Sequence, residues 1–126
     1  MQLLDYAEKE IVIFQSTIQS NISKLLVFGD SLSDMGNSKS SFGTPESPPY
    51  YNGRFATGPM WNEHVAAEIG INISPGSGSA PGSNRAFGGA EAGEGMNYFV
   101  IPNLGKQIED YTNNYWISPN EKVMIW

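Results

Sequence analysis

Leu25-Leu26-Val27-Phe28-Gly29-Asp30-Ser31-Leu32-Ser33-Asp34 is the stretch on which the fold turns. Its first four residues form an unbroken apolar run. Such a run marks a short strand buried on both faces, as in the interior of a parallel sheet. Gly29 then frees the backbone to turn sharply. Ser31 is thereby presented just beyond the carboxyl end of a strand, where open α/β sheets place their ligands. Two readings of the turn follow. A serine held there with its own N–H facing outward is a candidate nucleophile. Asp30, Ser31 and Ser33 are equally the residue types that form turns and cap helices.

A wider view separates these readings. Phe28-Gly29-Asp30-Ser31-Leu32-Ser33-Asp34, followed by Gly36-Asn37, resembles block I of the GDSL (SGNH) esterase/lipase family. Pro48-Pro49-Tyr50-Tyr51-Asn52-Gly53-Arg54-Phe55, then Gly58-Pro59 and Trp61, is similar to the family's next segment. Asn84-Arg85-Ala86-Phe87-Gly88-Gly89-Ala90 resembles block II. The three motifs stand in the family's order, and the resemblance covers residues 25–126. The resemblance implies an α/β fold, three α/β/α layers around a parallel sheet (SGNH-hydrolase, flavodoxin-like), here incomplete. It implies a serine ester hydrolase, an esterase or lipase acting on carboxylic esters. Ser31 would be the nucleophile and give one oxyanion N–H. Gly89, five residues after Asn84, would give a second, with Asp30, Asp34 and Asn37 in support. The plain alternative for Gly88-Gly89 is a tight turn.

The bulk numbers bound the function classes. A chain of 126 residues fits one domain. Seven basic and thirteen acidic side chains give 7 − 13 = −6, without the basic stripe of a nucleic-acid binder, so no nucleic-acid partner is expected. With no cysteine there is no disulfide framework, thiol nucleophile or cysteine metal site. No metal or cofactor is expected. No apolar run is long enough to span a bilayer. Asp5, Glu8, Lys9 and Glu10 are foreign to a signal peptide, so none is visible and no compartment is assigned.

Residues 1–24 lie outside the resemblance and read as an extension. Leu4, Ala7, Ile11, Phe14 and Ile18 share one helical face, while Ile11 to Phe14 offers a competing strand; the helix is preferred. From Ser38 to Pro59 the composition turns to Ser, Gly, Pro and aromatics, which predicts a loop. Tyr50, Tyr51, Arg54 and Phe55 are candidates for a substrate mouth there. Equally, the aromatics staple the loop down; for Arg54 a structural ion pair is preferred over binding a substrate carboxylate. Pro59 to Ile69 predicts a helix with Trp61, Val65, Ala66 and Ile69 on one face. It carries His64, the sole histidine, which reads as a surface residue rather than a base. Residues 75–83 read as a flexible Gly/Ser loop and 84–90 as a short strand with a glycine turn. Leu104, Ile108 and Tyr111 mark an amphipathic helix, Pro119-Asn120 a turn, and Lys122 to Trp126 a strand.

Ester hydrolysis also needs a base and a group that orients it. The family's Gly-x-Asn-Asp and Asp-x-x-His motifs have no match in these 126 residues. The expectation is therefore the N-terminal part of a hydrolase domain, residues 25–126, that precedes its third block. Alone it is expected to be inactive and prone to self-association through its C-terminal strand. The substrate is expected to be a small-molecule, lipid or glycan ester. The alternative is a non-catalytic remnant or binding module of the same fold.

Overall fold

The computed structural model describes residues 22–126. The helix expected over Leu4 to Ile18 lies outside these described residues. The elements in chain order are β1 (Lys24–Phe28), α1 (Asn37–Phe42), α2 (Trp61–Glu68), β2 (Met96–Asn97), β3 (Ile101–Pro102), α3 (Leu104–Asn114) and β4 (Glu121–Ile125). Lys24, expected in the extension, is the first residue of β1.

β1 is an interior strand. On one side it pairs in parallel with β4, Leu26 opposite Val123 and Phe28 opposite Ile125. On the other it meets an extended segment. The Val27 N–H donates to the Ser83 carbonyl at 2.9 Å, Arg85 N–H to Val27 at 2.7 Å, and Phe87 N–H to Gly29 at 3.1 Å. That segment bridges in turn to Pro75, again in parallel. Neighbours on both edges explain why Leu25 to Phe28 carries no polar residue: neither face nor edge meets water.

The pleat divides the core. Leu25 and Val27 pack on one face against Ala66, Trp61 and Val65 of α2, with Ile73 and Met124. Leu26 and Phe28 pack on the other against Leu104, Ile108 and Tyr111 of α3, with Tyr115 and Ile117. Phe28 and Tyr111 meet edge to face, ring centres 6.1 Å apart. Each buried side chain of this size contributes about 1.5–3 kcal/mol. The result is a parallel sheet flanked by helices.

One segment departs from expectation. Residues 38–42 were expected in a loop but belong to α1. The helix has no hydrophobic stripe to announce it. It starts because the Asp34 carboxylate accepts the amides of Gly36, Asn37 and Ser38, which otherwise lack partners at a helix N-terminus. α2 and α3 fall where the apolar spacing puts them, as does β4. The Gly/Ser stretch before Ser83 is tied down by Arg85. Its guanidinium donates to the carbonyls of Ala80 (2.8 Å) and Gly78 (2.6 Å) and lies over the Tyr111 ring. Burial pushes this guanidinium below its ordinary value, against the pull of Tyr115, Asp110 and Tyr111.

Candidate active site

The turn after β1 is clamped from three sides. From α3, the buried Gln107 amide embraces the Gly29 peptide. Its Oε1 accepts the Gly29 N–H at 3.0 Å, and its Nε2 donates to the Gly29 and Pro102 carbonyls, both at 2.9 Å. From α2, the Asn62 Nδ2 donates to the Ser33 carbonyl at 2.8 Å and the Trp61 Nε1 to the Ser33 Oγ at 3.1 Å. From the segment beside β1, the Asn84 Nδ2 donates to the same Ser33 carbonyl at 2.8 Å.

Asp34 is the hub. It is wholly buried, and besides the three α1 amides its Oδ2 accepts the Gly88 N–H at 3.0 Å. The Ser38 Oγ accepts the same N–H at 2.9 Å. Asn37, also buried, donates through Nδ2 to the carbonyls of Asn84 (2.9 Å) and Ala86 (3.0 Å). Asp34 and Asn37 thus join the turn after β1 to the turn after residue 87. Asp30 has a local role: its Oδ1 accepts the Leu32 N–H and its carbonyl the amides of Ser33 and Asp34.

Against this saturated background, Ser31 stands apart. Ser33 and Ser38 are buried with their hydroxyls engaged, whereas Ser31 is half-buried and its hydroxyl has no partner among the described residues. The backbone shows the same contrast. The amides of Gly29, Leu32, Ser33 and Asp34 all donate, while those of Asp30 and Ser31 find no acceptor among the described residues. In the second turn the amides of Phe87, Gly88 and Ala90 donate, and that of Gly89 finds no acceptor among the described residues.

Gly89 is exposed, with φ +86°, a conformation that a side chain disfavours. A Cβ there would also meet the Ile101 Cδ1 at 2.9 Å. Its carbonyl accepts a 2.7 Å bond from the Asn97 Nδ2, which fixes the following peptide. At Gly88 a Cβ would overlap the Phe55 ring at 2.5 Å. Phe55 therefore lies directly on the second turn, and Tyr50 packs on Phe55 with ring centres 6.2 Å apart.

The other mouth candidates are placed differently. Arg54 grips Glu63 of α2 through Nε and Nη2 and donates to the Asn52 carbonyl at 2.8 Å, its guanidinium over the Tyr51 ring. Glu63 holds Arg54 above its ordinary value. Burial pushes Glu63 up, but the Arg54 bond and the Met60 N–H outweigh it, and the carboxyl titrates below its ordinary range. His64 is exposed on α2, and the side-chain bonds from α2 to the Ser31 turn come from Trp61 and Asn62.

Two depressions flank the Ser31 turn. One, about 190 Å³, is lined by Gly29, Asp30, Ala90, Leu104 and Trp126 among others. The second, about 450 Å³ and almost wholly apolar, is lined by Leu32, Trp61, Val65, Met124 and Trp126. A larger cavity of about 520 Å³ opens at the opposite end of β1, around Lys24, Asn72 and Ser83, and does not involve Ser31. Among the described residues no cluster of His, Asp and Glu is arranged to hold a metal ion.

A serine turn at the carboxyl end of a parallel strand, facing a glycine turn, is an arrangement suited to acyl chemistry. The class is shown by comparison: residues 25–122 match the model of the GDSL-like lipase/acylhydrolase family, and the chain belongs to that family. It is 36% identical over 107 residues to a phosphatidylcholine-sterol acyltransferase of Aeromonas hydrophila, an overlap of 82% of this chain and 31% of that protein. It is 32% identical over 103 residues to a thermolabile hemolysin of Vibrio parahaemolyticus, covering 80% of this chain and 22% of that one. The chain spans less than a third of the length of these curated relatives. Family membership supports ester hydrolysis or acyl transfer as the general chemistry.

Sequence reasoning missed Gln107, Trp61 Nε1 and Asn62 as holders of the turn. Gln107 was detectable: it sits three residues after Leu104 and four before Tyr111, on the apolar stripe of α3, where an amide has to find partners.

Proposed function

We propose that the protein carries the nucleophile half of a serine esterase or acyltransferase site built on a three-layer SGNH fold. The Ser31 Oγ attacks the ester carbonyl as a base takes its proton. The carbonyl oxygen becomes an oxyanion, received by the Ser31 and Gly89 amides. Collapse expels the alcohol and leaves an acyl group on Ser31. A second hydroxyl, from water or from an acceptor alcohol, then attacks and restores the serine. The likeness to an acyltransferase keeps both acceptors open. Leu32, Trp61, Val65 and Met124 offer an apolar wall for the acyl chain beside the reacting carbon.

One observation carries this reading. Around Ser31 and Gly89 nearly every buried polar group is spoken for, and the hydroxyl and the two amides the chemistry requires are left unengaged. Each such amide is worth about 3 kcal/mol of transition-state stabilisation. His64 is exposed and makes no hydrogen bond to Ser31 among the described residues, so in this reading the base is supplied by residues other than these.

The test is hydrolysis of a short p-nitrophenyl ester by the 126-residue chain and by a protein that also carries a base-bearing region of the family. The short chain is expected to turn over barely above background, with Ser31→Ala changing little, since a base alone supplies about 10²–10⁴-fold. The longer protein is expected to lose its turnover with Ser31→Ala. Turnover that survives this substitution contradicts the nucleophile assignment.

A further inference from the structure

The hairpin beside Gly89 has an unusual tip. β2 and β3 pair antiparallel, Asn97 opposite Ile101, and the Val100 N–H closes the turn on the Asn97 carbonyl. Its two central residues are Tyr98 and Phe99, with φ of +46° and +65°. Turns of this handedness ordinarily carry Asn-Gly or similar pairs, because bulky side chains are strained there. Here the strained positions hold two aromatics that stabilise nothing within the fold: Tyr98 is 77% exposed and Phe99 95% exposed, with Val100 and Met96 exposed beside them. The base is rigid by contrast. The Asn103 side chain and backbone bind the 91–95 segment, and Asn97 and Ile101 abut Gly89.

We propose that the Tyr98–Val100 tip docks the protein onto a zwitterionic phospholipid surface, seating the cleft of Ser31 and Gly89 at the lipid–water boundary. The tip is convex, so it fits a yielding surface rather than a partner's groove. Phe, Val and Met supply apolar area, and Tyr an apolar ring with a polar end, the combination suited to the headgroup region. Charge selects the kind of surface. Residues 95–102 carry no charge, Glu91 and Glu94 stand just before them, and the net charge of the chain is −6. The Lys106 amine is taken by Glu109 and Asp110. An anionic surface would repel this face, and a zwitterionic one would not. Docking stands on the hairpin alone; its purpose, delivering acyl esters to Ser31, rests on the functional reading above.

Flotation of the full chain with phosphatidylcholine vesicles tests the proposal, read for wild type, Ser31→Ala and the double variant Tyr98→Gly with Phe99→Gly. Glycine relieves the strain of this turn, so the double variant is expected to keep or raise its melting temperature while vesicle affinity falls about tenfold or more. Ser31→Ala is expected to float like wild type. Absence of wild-type flotation, unchanged flotation of the double variant, or tighter binding to phosphatidylglycerol than to phosphatidylcholine overturns docking. So does a concentration-dependent dimer that the double variant dissolves without any vesicle binding, which would assign the tip to a second copy. Ester turnover of a base-bearing protein that persists in Ser31→Ala, with docking intact, would overturn the functional reading and leave this one standing.

Discussion

The two sides of one turn differ as much as any two regions of this molecule. Ser33 and Asp34 are sealed in, with both side chains and the Ser33 carbonyl engaged, whereas Ser31, two or three residues earlier, keeps its hydroxyl and its amide unengaged among the described residues. The difference is one of labour. Buried polar groups are tolerated only when paired, and once paired they act as rigid struts. Asp34 and Asn37 strap the first turn to the second, and Gln107 fastens the peptide before Ser31. The unpaired groups then sit on a frame that does not need them, which is how a site stays available for a ligand.

Asp34→Ala attacks the frame most directly. It orphans three amides, those of Gly36, Asn37 and Ser38, and leaves the Gly88 N–H to the Ser38 Oγ alone. A loss of about 4 kcal/mol is expected, from the usual cost of breaking a buried charged network. The urea unfolding midpoint measures it. A change below about 1 kcal/mol would mean that water or a local shift replaces the carboxylate, and the strut picture would fail.

Gln107→Ala is expected to cost about 2 kcal/mol. The Gly29 N–H would lose its acceptor, while the Gly29 carbonyl keeps the Phe87 N–H. Ser31-dependent turnover in a base-bearing protein should fall by more than stability alone explains, since the turn would loosen by fractions of an ångström. Equal stability and turnover in this variant would show that α3 does not hold the turn.

The smallest effect concerns pH. Glu63 titrates below its ordinary value of 4.5 because Arg54 and the Met60 N–H outweigh its burial. Its contribution to stability is complete above about pH 4.5 and fades as the pH drops through the lower folded value. Glu63→Gln is expected to flatten the acid limb of a melting-temperature profile by a small amount and to leave pH 7 turnover at soluble esters unchanged. A steeper acid limb in the variant would contradict the assignment.

The frame was legible where a period or a long apolar run announced it. β1, α3 and β4 lie where the apolar residues put them, because tertiary burial and local pattern agree there. α1 was not legible: Asn-Ser-Lys-Ser-Ser-Phe has no stripe, and its start depends on a carboxylate whose remaining partner, Gly88, is 54 residues away. The hairpin was hidden for the opposite reason. Tyr98-Phe99 contradicts the turn chemistry that sequence reasoning relies on, and such contradictions gather at places kept for something other than stability. Ser31 and Gly89 were named from motif alone. Their unengaged amides are visible only once the neighbouring amides have been traced to their acceptors.

The central claim is that Ser31 and Gly89 meet at one oxyanion. A crystal structure of a base-bearing protein treated with an alkyl fluorophosphonate tests it most directly. The account predicts phosphorus bonded to the Ser31 Oγ and a phosphonyl oxygen about 2.7–3.1 Å from both the Ser31 and the Gly89 amide nitrogens. Modification of another serine, or amide nitrogens more than about 8 Å apart, which no single oxygen can bridge, would contradict it.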